Sequence, residues 1–343
     1  MQITTVGLEV AKQVFQVHGV DAHGNVIVRR QLRRKEVVAY FTKLPVCEIG
    51  MEAGSSSHDW ARRLQGLGHT VKLRAPQFVR PYVKTNKNEA RDAEALCEAV
   101  TRPTMRFVQL KTAEQQAMLA LPRARQGFVK ARTPQANQLR SLLAEFGMVL
   151  PQGIHVLLRR VPMIISDTGN GLFASLRDLF PRLLGHVKEL DRQVGEVEQQ
   201  ILQGHKSNEQ SRKLAQVPGI GPITASALVA TIGNARAFQH GRQLAAWLGL
   251  VPRQHSSGGK PRLHGISKRG DTYLRTLLLH GARSVLRFAA RPTDPTTQWL
   301  QAIQARRNAN IAAVALANNH ARVVWALLAH DRHYTPDYAV TSP

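Results

Sequence analysis

The chain has 343 residues, which is enough for two or three domains with substantial cores, and its apolar content of 43% excludes global disorder. It carries 47 Lys and Arg against 23 Asp and Glu, and this formal net charge of +24 favours polyanionic partners such as nucleic acid. No apolar run approaches the roughly 20 residues that span a bilayer, and the start lacks a signal segment, so we expect a cytoplasmic protein without a membrane partner. Its two cysteines form neither a disulfide framework nor a metal-spaced pair.

The first hundred residues alternate between predicted strands and predicted helices. Strands are predicted at 3–8, 14–20, 26–28, 46–51 and 69–73, and helices at 57–67 and 87–100. This alternation favours an α/β layer. The strand–turn–strand opening, with an acid at the end of the first strand, resembles the start of an RNase H-like sheet.

The remainder of the sequence is predominantly helical. Residues 112–146 are basic and helix-spaced, and Pro122 and Pro134 are expected to kink or divide this helix. A seam of apolar residues at spacings of four and three follows, made of Leu183, Val187, Leu190, Val194, Val197 and Ile201. The seam covers fewer than three heptads, so it is consistent with a coiled coil or with an ordinary bundle helix. Further helices are predicted at 223–232 and 271–288 and around Ile311.

Four acidic residues form a candidate metal site. Glu9 and Glu52 follow predicted strands, whereas Glu89 and Asp92 are three residues apart and share one helical face. Carboxylates are hard oxygen ligands that suit Mg²⁺, and two such ions about 3.5–4 Å apart can activate a hydroxyl and stabilise a leaving oxygen. Each acid taken singly could instead be a solvated or structural residue.

A basic, glycine-rich loop at 254–260 contains a candidate nucleophile. Ser257 precedes Gly258 and Gly259, which allow the backbone to approach a phosphate closely. The surrounding cations could neutralise the charge that develops during attack; they are Arg253, His255, Lys260, Arg262, His264, Lys268 and Arg269. No Ser-His-Asp pattern is recognisable, so a loop that only clamps phosphates is the alternative, and Ser256 is the competing nucleophile.

A glycine-containing turn at 218–221 lies between two helical stretches. It resembles the turn of a helix-hairpin-helix, in which the backbone N–H groups around Gly219 and Gly221 would meet a phosphate without reading sequence. A tight turn with packing glycines explains the same residues.

Several motifs, spread over nearly the whole chain, occur together in one known family. They are the segments 6–12, 50–53, 60–64, 75–79, 87–95, 217–221, 248–253, 256–260 and 266–275. With these motifs the chain resembles the bridge-RNA-guided insertion-sequence transposases, the IS-one-ten family, and within it the IS-eleven-eleven subgroup.

The resemblance implies an N-terminal RuvC-like domain (1–110) with a four-acid metal site. A helical coiled-coil segment (111–210) would follow it. The C-terminal transposase domain (211–334) would be mostly helical and carry a catalytic serine, and a tail (335–343) would end the chain. It also implies Mg²⁺ as cofactor and donor DNA, target DNA and a structured guide RNA as partners. The active assembly would be a homo-oligomer, a dimer or tetramer, in which the metal site of one subunit joins the serine of another. Cleavage would leave a phosphoserine linkage to DNA.

Carried over residue by residue, the resemblance assigns Glu52 and Asp92 to the second and fourth acids and Ser257 to the nucleophile. Glu9 and Glu89 stand where the family usually has aspartate, and the additional methylene moves each carboxylate by about an ångström, a distance that matters for metal catalysis. Pro122 stands where we expect histidine. The residues expected to bind backbone phosphates are Lys260, Arg262, Lys268 and Arg269.

The sequence therefore supports three functional hypotheses. The leading hypothesis is a site-specific DNA recombinase that moves an insertion element. The second is a metal-dependent RuvC-like nuclease or resolvase without a serine step, which would produce free DNA ends. The third is a catalytically impaired protein that binds nucleic acid in a salt-sensitive manner without cutting it.

Overall fold

The computed structural model describes residues 2–84, 88–102, 107–288 and 294–335. The chain divides into two compact units, Met1–Glu114 and Gln115–Pro343, and each is described by itself. The finer division into domains stays a prediction. Of the predicted tail, only Thr335 lies within the described residues.

The N-terminal unit is built on one five-stranded sheet. Its strands are β1 Thr5–Val10, β2 Val14–Val20, β3 Val26–Arg33, β4 Glu48–Glu52 and β5 Thr70–Arg74. Its helices are α1 Val37–Thr42, α2 Ser57–Gly66, α3 Pro76–Val79 and α4 Glu89–Val100. The strand order is β3-β2-β1-β4-β5, in which β2 is antiparallel to both neighbours while β1, β4 and β5 are parallel. The predicted α/β layer is thus confirmed, whereas its RuvC-like character stays a prediction.

One face of this sheet packs against α1 and α2. Alternate strand residues are buried on it, including Val6 and Leu8 of β1 and Phe15 and Val17 of β2, as the period of two in a strand requires. The helices contribute Val37, Phe41, Trp60, Ala61 and Leu64 to the same core. Burial of these side chains fixes the register of the sheet, since a one-residue slip would turn them to the other face.

The opposite face packs against α4 at very short range. Gly7 of β1 and Gly50 of β4 are register partners in adjacent parallel strands. A Cβ at Gly7 would lie 1.9 Å from the backbone oxygen of Ala93, and a Cβ at Gly50 would lie 3.0 Å from that of Leu96. The α4 backbone therefore lies directly on the sheet, and only glycine fits at these two positions.

The C-terminal unit is predominantly helical. Its helices are α5 Ala113–Ala144, α6 Ile154–Ser166, α7 Ala174–Ser207, α8 Glu209–Leu214, α9 Pro222–Ile232, α10 Gly241–Trp247, α11 Thr272–Phe288, α12 Pro295–Gln304 and α13 Ala309–His330. A two-stranded antiparallel sheet, β6 Pro252–Gln254 and β7 Leu263–Ile266, lies between α10 and α11. The unit thus adds one short hairpin to the predicted helical architecture.

Helices α5 and α7 are joined by ion pairs in antiparallel order. Arg125 Nη2 lies 2.6 Å from the Glu198 carboxylate, and Arg132 pairs with Asp191. Four residues of the predicted seam, Val187, Val194, Val197 and Ile201, are buried in α7, whereas Leu183 is only partly buried and its neighbour Leu184 is buried instead. The seam therefore packs within the chain, and a coiled coil stays a prediction.

Helix α5 continues through both of its prolines. The sequence predicts that Pro122 and Pro134 kink or divide this helix. The division is wrong, because α5 is continuous from Ala113 to Ala144, whereas a kink stays a prediction. An interior proline costs a helix about 3 kcal/mol. Pro122 is buried against neighbouring elements, and the ion pair of Arg125 lies within one turn of it, so tertiary packing outweighs the local cost.

The longest apolar helix of the described chain is α13. By length and composition it could span a membrane, with a mean hydropathy of 1.3 over 18 residues, so the expectation that no segment approaches this length is wrong. In the structure 44% of that window is buried, and Leu316, Ala317 and Val324 lie in the core of the unit. A core helix passes the same test, so this helix is weak evidence for a membrane, and the cytoplasmic location stays a prediction.

We predict that Gly7→Ala destabilises the protein by roughly 1–3 kcal/mol or more, because the new methyl group has no space beside the Ala93 carbonyl. Urea denaturation followed by circular dichroism measures this loss. Gly66→Ala is the matched control, since its Cβ meets nothing within 4 Å and alanine favours the helix. Equal urea midpoints for the two variants would contradict the close packing of α4.

Candidate active site

Glu9 and Glu52 lie side by side at the carboxyl ends of β1 and β4. Leu8 pairs with Met51 in the parallel register, and the two acids occupy the next pair of positions. Neighbouring strands are about 4.8 Å apart, and residues two apart share a face, so both acids are on the face that α4 covers at Gly7. Both are half-buried.

Helix α4 brings the other two acids towards the same edge. Cys97 Sγ donates to the backbone oxygen of Thr5 at 3.8 Å, near the beginning of β1, while the preceding turn of α4 contacts Gly7. Helix α4 is therefore antiparallel to β1. Its first turn, which carries Glu89 and Asp92, lies towards the end of β1 where the first acid stands.

The four acids share an edge of the sheet without forming a closed metal cage. Within the described ranges, no three His, Cys, Asp or Glu side chains are grouped closely enough to hold one ion. The donor set itself has the oxygen chemistry that Mg²⁺ requires. The metal-ligand assignment of Glu9, Glu52, Glu89 and Asp92 thus stays a prediction, supported by the common location of their backbones.

A buried cation stands next to this acid edge. Arg74 is the register partner of Glu52 on β5 and is fully buried, with its guanidinium 4.5 Å from the ring centre of Phe107. Burial lowers the pKa of Arg74 below its usual value. Sequence reasoning missed this residue; the only signal for it was an arginine at the end of a short apolar strand.

Ser257 occupies the first position of the turn at the tip of the β6–β7 hairpin. The backbone N–H of Lys260 donates to the Ser257 carbonyl at 3.1 Å, and the two residues between them, Gly258 and Gly259, have φ values of +57° and +72°. Positive φ at both central positions is typical of type I′ hairpin turns, which explains the glycine pair. The side chain of Ser257 is exposed.

The two neighbouring serines differ in their hydrogen bonding. Ser256 Oγ accepts from Gln254 Nε2 at 2.9 Å and from the backbone N–H of Arg262 at 3.3 Å, so it stabilises the hairpin. Among the described residues, no hydrogen bond engages Ser257 Oγ. The structure therefore distinguishes the two serines where the local sequence left them as competitors.

The hairpin is strongly cationic and extends from the unit. Between residues 251 and 270 the sequence has five Lys or Arg and no acid. Four of these cations are the predicted phosphate-binding residues, and all four are exposed: Lys260, Arg262, Lys268 and Arg269. Such a surface can bind a phosphate backbone without reading its sequence.

Arg275 holds the base of this hairpin. It is 7% exposed, and its Nη1 donates to the carbonyl oxygens of Leu248 at 3.0 Å and Arg269 at 2.7 Å. Burial lowers the pKa of Arg275 from its ordinary value. At the same base, a Cβ at Gly270 would lie 1.9 Å from the oxygen of Trp247, so the backbones pack in direct contact. Sequence reasoning missed Arg275, because nothing in its spacing marks it as buried.

The predicted glycine turn is a packing element at one of its two glycines. Gly219 has a φ of +85° and lies against α11, where a Cβ at Gly281 would be 1.9 Å from the Gly219 oxygen. Gly221 is the N-cap of α9 and has open space around it. Packing therefore accounts for Gly219, whereas phosphate binding at Gly219 and Gly221 stays a prediction.

We predict that Arg275→Met loosens the base of the hairpin, because the buried carbonyl of Leu248 and the partly buried carbonyl of Arg269 lose their donor at a cost of about 1–3 kcal/mol. Hydrogen–deuterium exchange should then accelerate at residues 267–270. Arg262→Met, which changes an exposed arginine of the same hairpin, is the control and should leave that segment protected. If hydrogen–deuterium exchange at residues 267–270 is unchanged in Arg275→Met, the arginine does not stabilise the base, and the glycine contacts alone hold it.

Comparisons with known proteins agree with this organisation. A family model described as "Transposase" matches residues 6–148, and one described as "Transposase IS116/IS110/IS902 family" matches residues 211–297. A "Probable family 20 transposase" of Pseudomonas aeruginosa is 50% identical over 98% of this chain and 100% of its own length. The transposase for insertion sequence element IS1111A of Coxiella burnetii is 41% identical over 97% of this chain and 91% of its own length.

A further relative is the transposase for insertion sequence element IS1328 of Yersinia enterocolitica. It is 39% identical over 95% of this chain and 96% of its own length. These similarities extend over both units of the structure. The chain therefore belongs to the IS110/IS116/IS902 family of insertion-sequence transposases, which are enzymes that cleave and rejoin DNA.

Proposed function

We propose that this transposase is an RNA-guided, Mg²⁺-dependent recombinase that cleaves and rejoins DNA through Ser257. The observation that carries the serine assignment is the exposed Oγ of Ser257, which has no hydrogen bond within the described residues, at the tip of a cationic hairpin. A nucleophile must be free to reach a phosphate, and the exposure of this hydroxyl supports the proposal.

The proposed reaction conserves phosphodiester bonds. Ser257 Oγ loses its proton and attacks the scissile phosphorus, an O–P bond to serine forms, and the bond to one deoxyribose oxygen breaks as that oxygen takes up a proton. A deoxyribose hydroxyl of a second DNA end then attacks the phosphoserine and releases the serine. Since each step exchanges one phosphoester for another, the cycle needs no external energy source.

The cations of the hairpin support this reaction electrostatically. Lys260 is the last residue of the turn, and Arg262 lies on the returning side. Positive side chains close to the scissile phosphate stabilise the charge on its oxygens, most strongly where water is excluded. Lys268 and Arg269 lie near the base, where they would bind neighbouring phosphates of the same strand.

The acid edge of the N-terminal unit is the proposed metal site. When Mg²⁺ is bound, it activates an oxygen nucleophile and neutralises the leaving oxygen. Glu9 and Glu52 on adjacent strands and Asp92 on α4 would supply the carboxylates, with Glu89 as the fourth. The close packing of α4 on the sheet keeps these positions together while DNA binds.

A structured guide RNA and a homo-oligomer complete the proposal. Both come from the family resemblance, and the net charge of +24 is consistent with a protein that binds two kinds of nucleic acid. Pairing of the RNA with donor and target DNA would supply the sequence specificity. A dimer or tetramer would allow the serine of one subunit to meet the acids of another.

A catalytically impaired relic is the second candidate. The observation that favours it is the presence of glutamate at positions 9 and 89 in a structure whose carboxylates form no closed cage among the described residues. Such a protein would bind DNA and RNA without breaking strands. A nuclease or resolvase without the serine step would instead leave free DNA ends and no protein–DNA adduct.

We expect Ser257→Ala to reduce recombination between donor and target plasmids by at least about 10³-fold in the presence of the cognate RNA, since the nucleophile is removed. The covalent protein–DNA adduct on denaturing gels should also disappear. Ser256→Ala is the matched control, because it removes the neighbouring hydroxyl that only bonds the hairpin, and it should retain activity within about tenfold.

Two outcomes would overturn the serine assignment. Recombination by Ser257→Ala at the parent rate would exclude this hydroxyl as the nucleophile. Loss of the adduct in Ser256→Ala, with the adduct kept in Ser257→Ala, would transfer the role to Ser256.

The double change Glu9→Asp and Glu89→Asp tests the metal site separately. If the longer side chains misplace the carboxylates, the double variant should cleave DNA at least about tenfold faster in Mg²⁺ than the parent chain. Chelation of Mg²⁺ with EDTA should abolish cleavage by both proteins. Glu114→Asp, outside the acid edge, is the control and should change nothing. Cleavage that persists in EDTA would contradict metal dependence.

A further inference from the structure

A second polar site lies at the edge of the N-terminal sheet. A groove of about 780 Å³, here termed the Trp60 groove, is lined by residues that include Gln13, Arg33, Arg34, Lys35, Trp60 and Arg63. Four of these side chains are cationic, and none of the described residues that line the groove is acidic. A concave surface of this charge is suited to an anionic ligand.

The guanidinium of Arg34 is held in place by aromatic rings and backbone. It lies 5.2 Å from the ring centre of Trp60 and 5.7 Å from that of Phe15, and its Nη1 donates to the carbonyl of Lys12 at 3.2 Å. A cation stacked in this way keeps its remaining donors in a fixed orientation. Arg34 is therefore pre-organised to bind an anion with little loss of side-chain entropy.

The indole N–H of Trp60 does not belong to the groove surface. Trp60 is 3% exposed, and its Nε1 is closed off from solvent and has no hydrogen-bond partner within the described ranges. The contribution of Trp60 to the groove is its ring, on which the Arg34 guanidinium stacks.

Two nearby acids do not cancel the charge of the groove. Asp59 pairs with Arg63 at 2.9 Å, and Glu36 accepts the backbone N–H of Arg33 at 2.8 Å. Arg34 and Lys35 have no carboxylate partner in the described part of the chain. The groove thus retains at least two uncompensated positive charges.

The location of the groove connects it to the acid edge. Strand β1 carries Glu9 and ends one residue later, and Gln13 in the following turn already lines the groove. The backbone N–H of Arg34 donates to the Gln13 carbonyl at 2.9 Å, which joins the groove wall to that turn. A strand whose phosphate reaches the carboxylates would therefore have neighbouring phosphates close to the groove.

We propose that the Trp60 groove binds a backbone phosphate of the DNA strand that reaches the acid edge. Arg34 and Lys35 neutralise the phosphate, and the Trp60 ring holds the Arg34 guanidinium in place. This assignment rests on the proposed function in that the same strand is cut at the acid edge. It adds an anchoring site beside the chemistry, and it makes the groove a positioning element and not a catalytic one.

The proposal can be tested in the full-length chain by measuring how tightly it binds a fluorescein-labelled DNA oligonucleotide. Fluorescence anisotropy reports this binding in Mg²⁺-free buffer over a range of salt concentrations. Arg34→Gln and Lys35→Gln should each weaken binding about three- to tenfold and lower the salt slope by about one. Lys43→Gln removes an exposed cation outside the groove and serves as the control.

The outcomes separate this site from the serine chemistry. Because Ser257→Ala should bind DNA as the parent does, failure of the serine mechanism leaves the groove assignment unaffected. If Lys35→Gln and Lys43→Gln weaken DNA binding equally, and circular dichroism shows that both variants are folded, the groove is not a specific phosphate site. A loss confined to an RNA oligonucleotide of the same sequence would overturn the assignment to DNA. Lys35 is exposed, so its variant remains informative if Arg34→Gln does not fold.

Discussion

The contact between α4 and the sheet is the constraint on which the N-terminal unit depends. Gly7 and Gly50, paired across adjacent strands, remove the Cβ atoms that would otherwise separate helix and sheet. The helix backbone consequently lies at a fixed height above β1 and β4, with the carboxyl ends of both strands beneath its first turn. Acids from three separate segments are thereby brought to one edge, although they are far apart in the sequence.

Much of this unit could be predicted from the sequence, because apolar residues alternate in its strands and recur at helical spacing in α4. These patterns predicted that strands end near Glu9 and Glu52. They also predicted that Glu89 and Asp92 share one turn of a helix. The closeness of the carboxylates to one another could not be predicted, since it depends on side-chain rotamers and on ångström-scale helix placement. Glycine in a strand has several explanations, so the contact at Gly7 was also not predictable.

The C-terminal unit shows where local patterns fail. Strands β6 and β7 have three and four residues and mostly exposed side chains, so no alternation distinguishes them from a loop. Continuity of α5 through Pro122 and Pro134 depends on partners distant in sequence. Local sequence likewise does not reveal which of two adjacent serines bonds the hairpin. That difference appears only once Arg262 is seen opposite Ser256.

The hairpin that carries Ser257 is fixed at one end only. Arg275 and the glycine contacts immobilise its base, whereas the ribbon beyond has no buried side chain, and an isolated two-stranded ribbon is marginally stable in water. Six extended residues reach about 20 Å, so a pivot of roughly 10° displaces the tip by about 3 Å. If Ser257 attacks DNA as proposed, accurate aim would come from the bound nucleic acid itself.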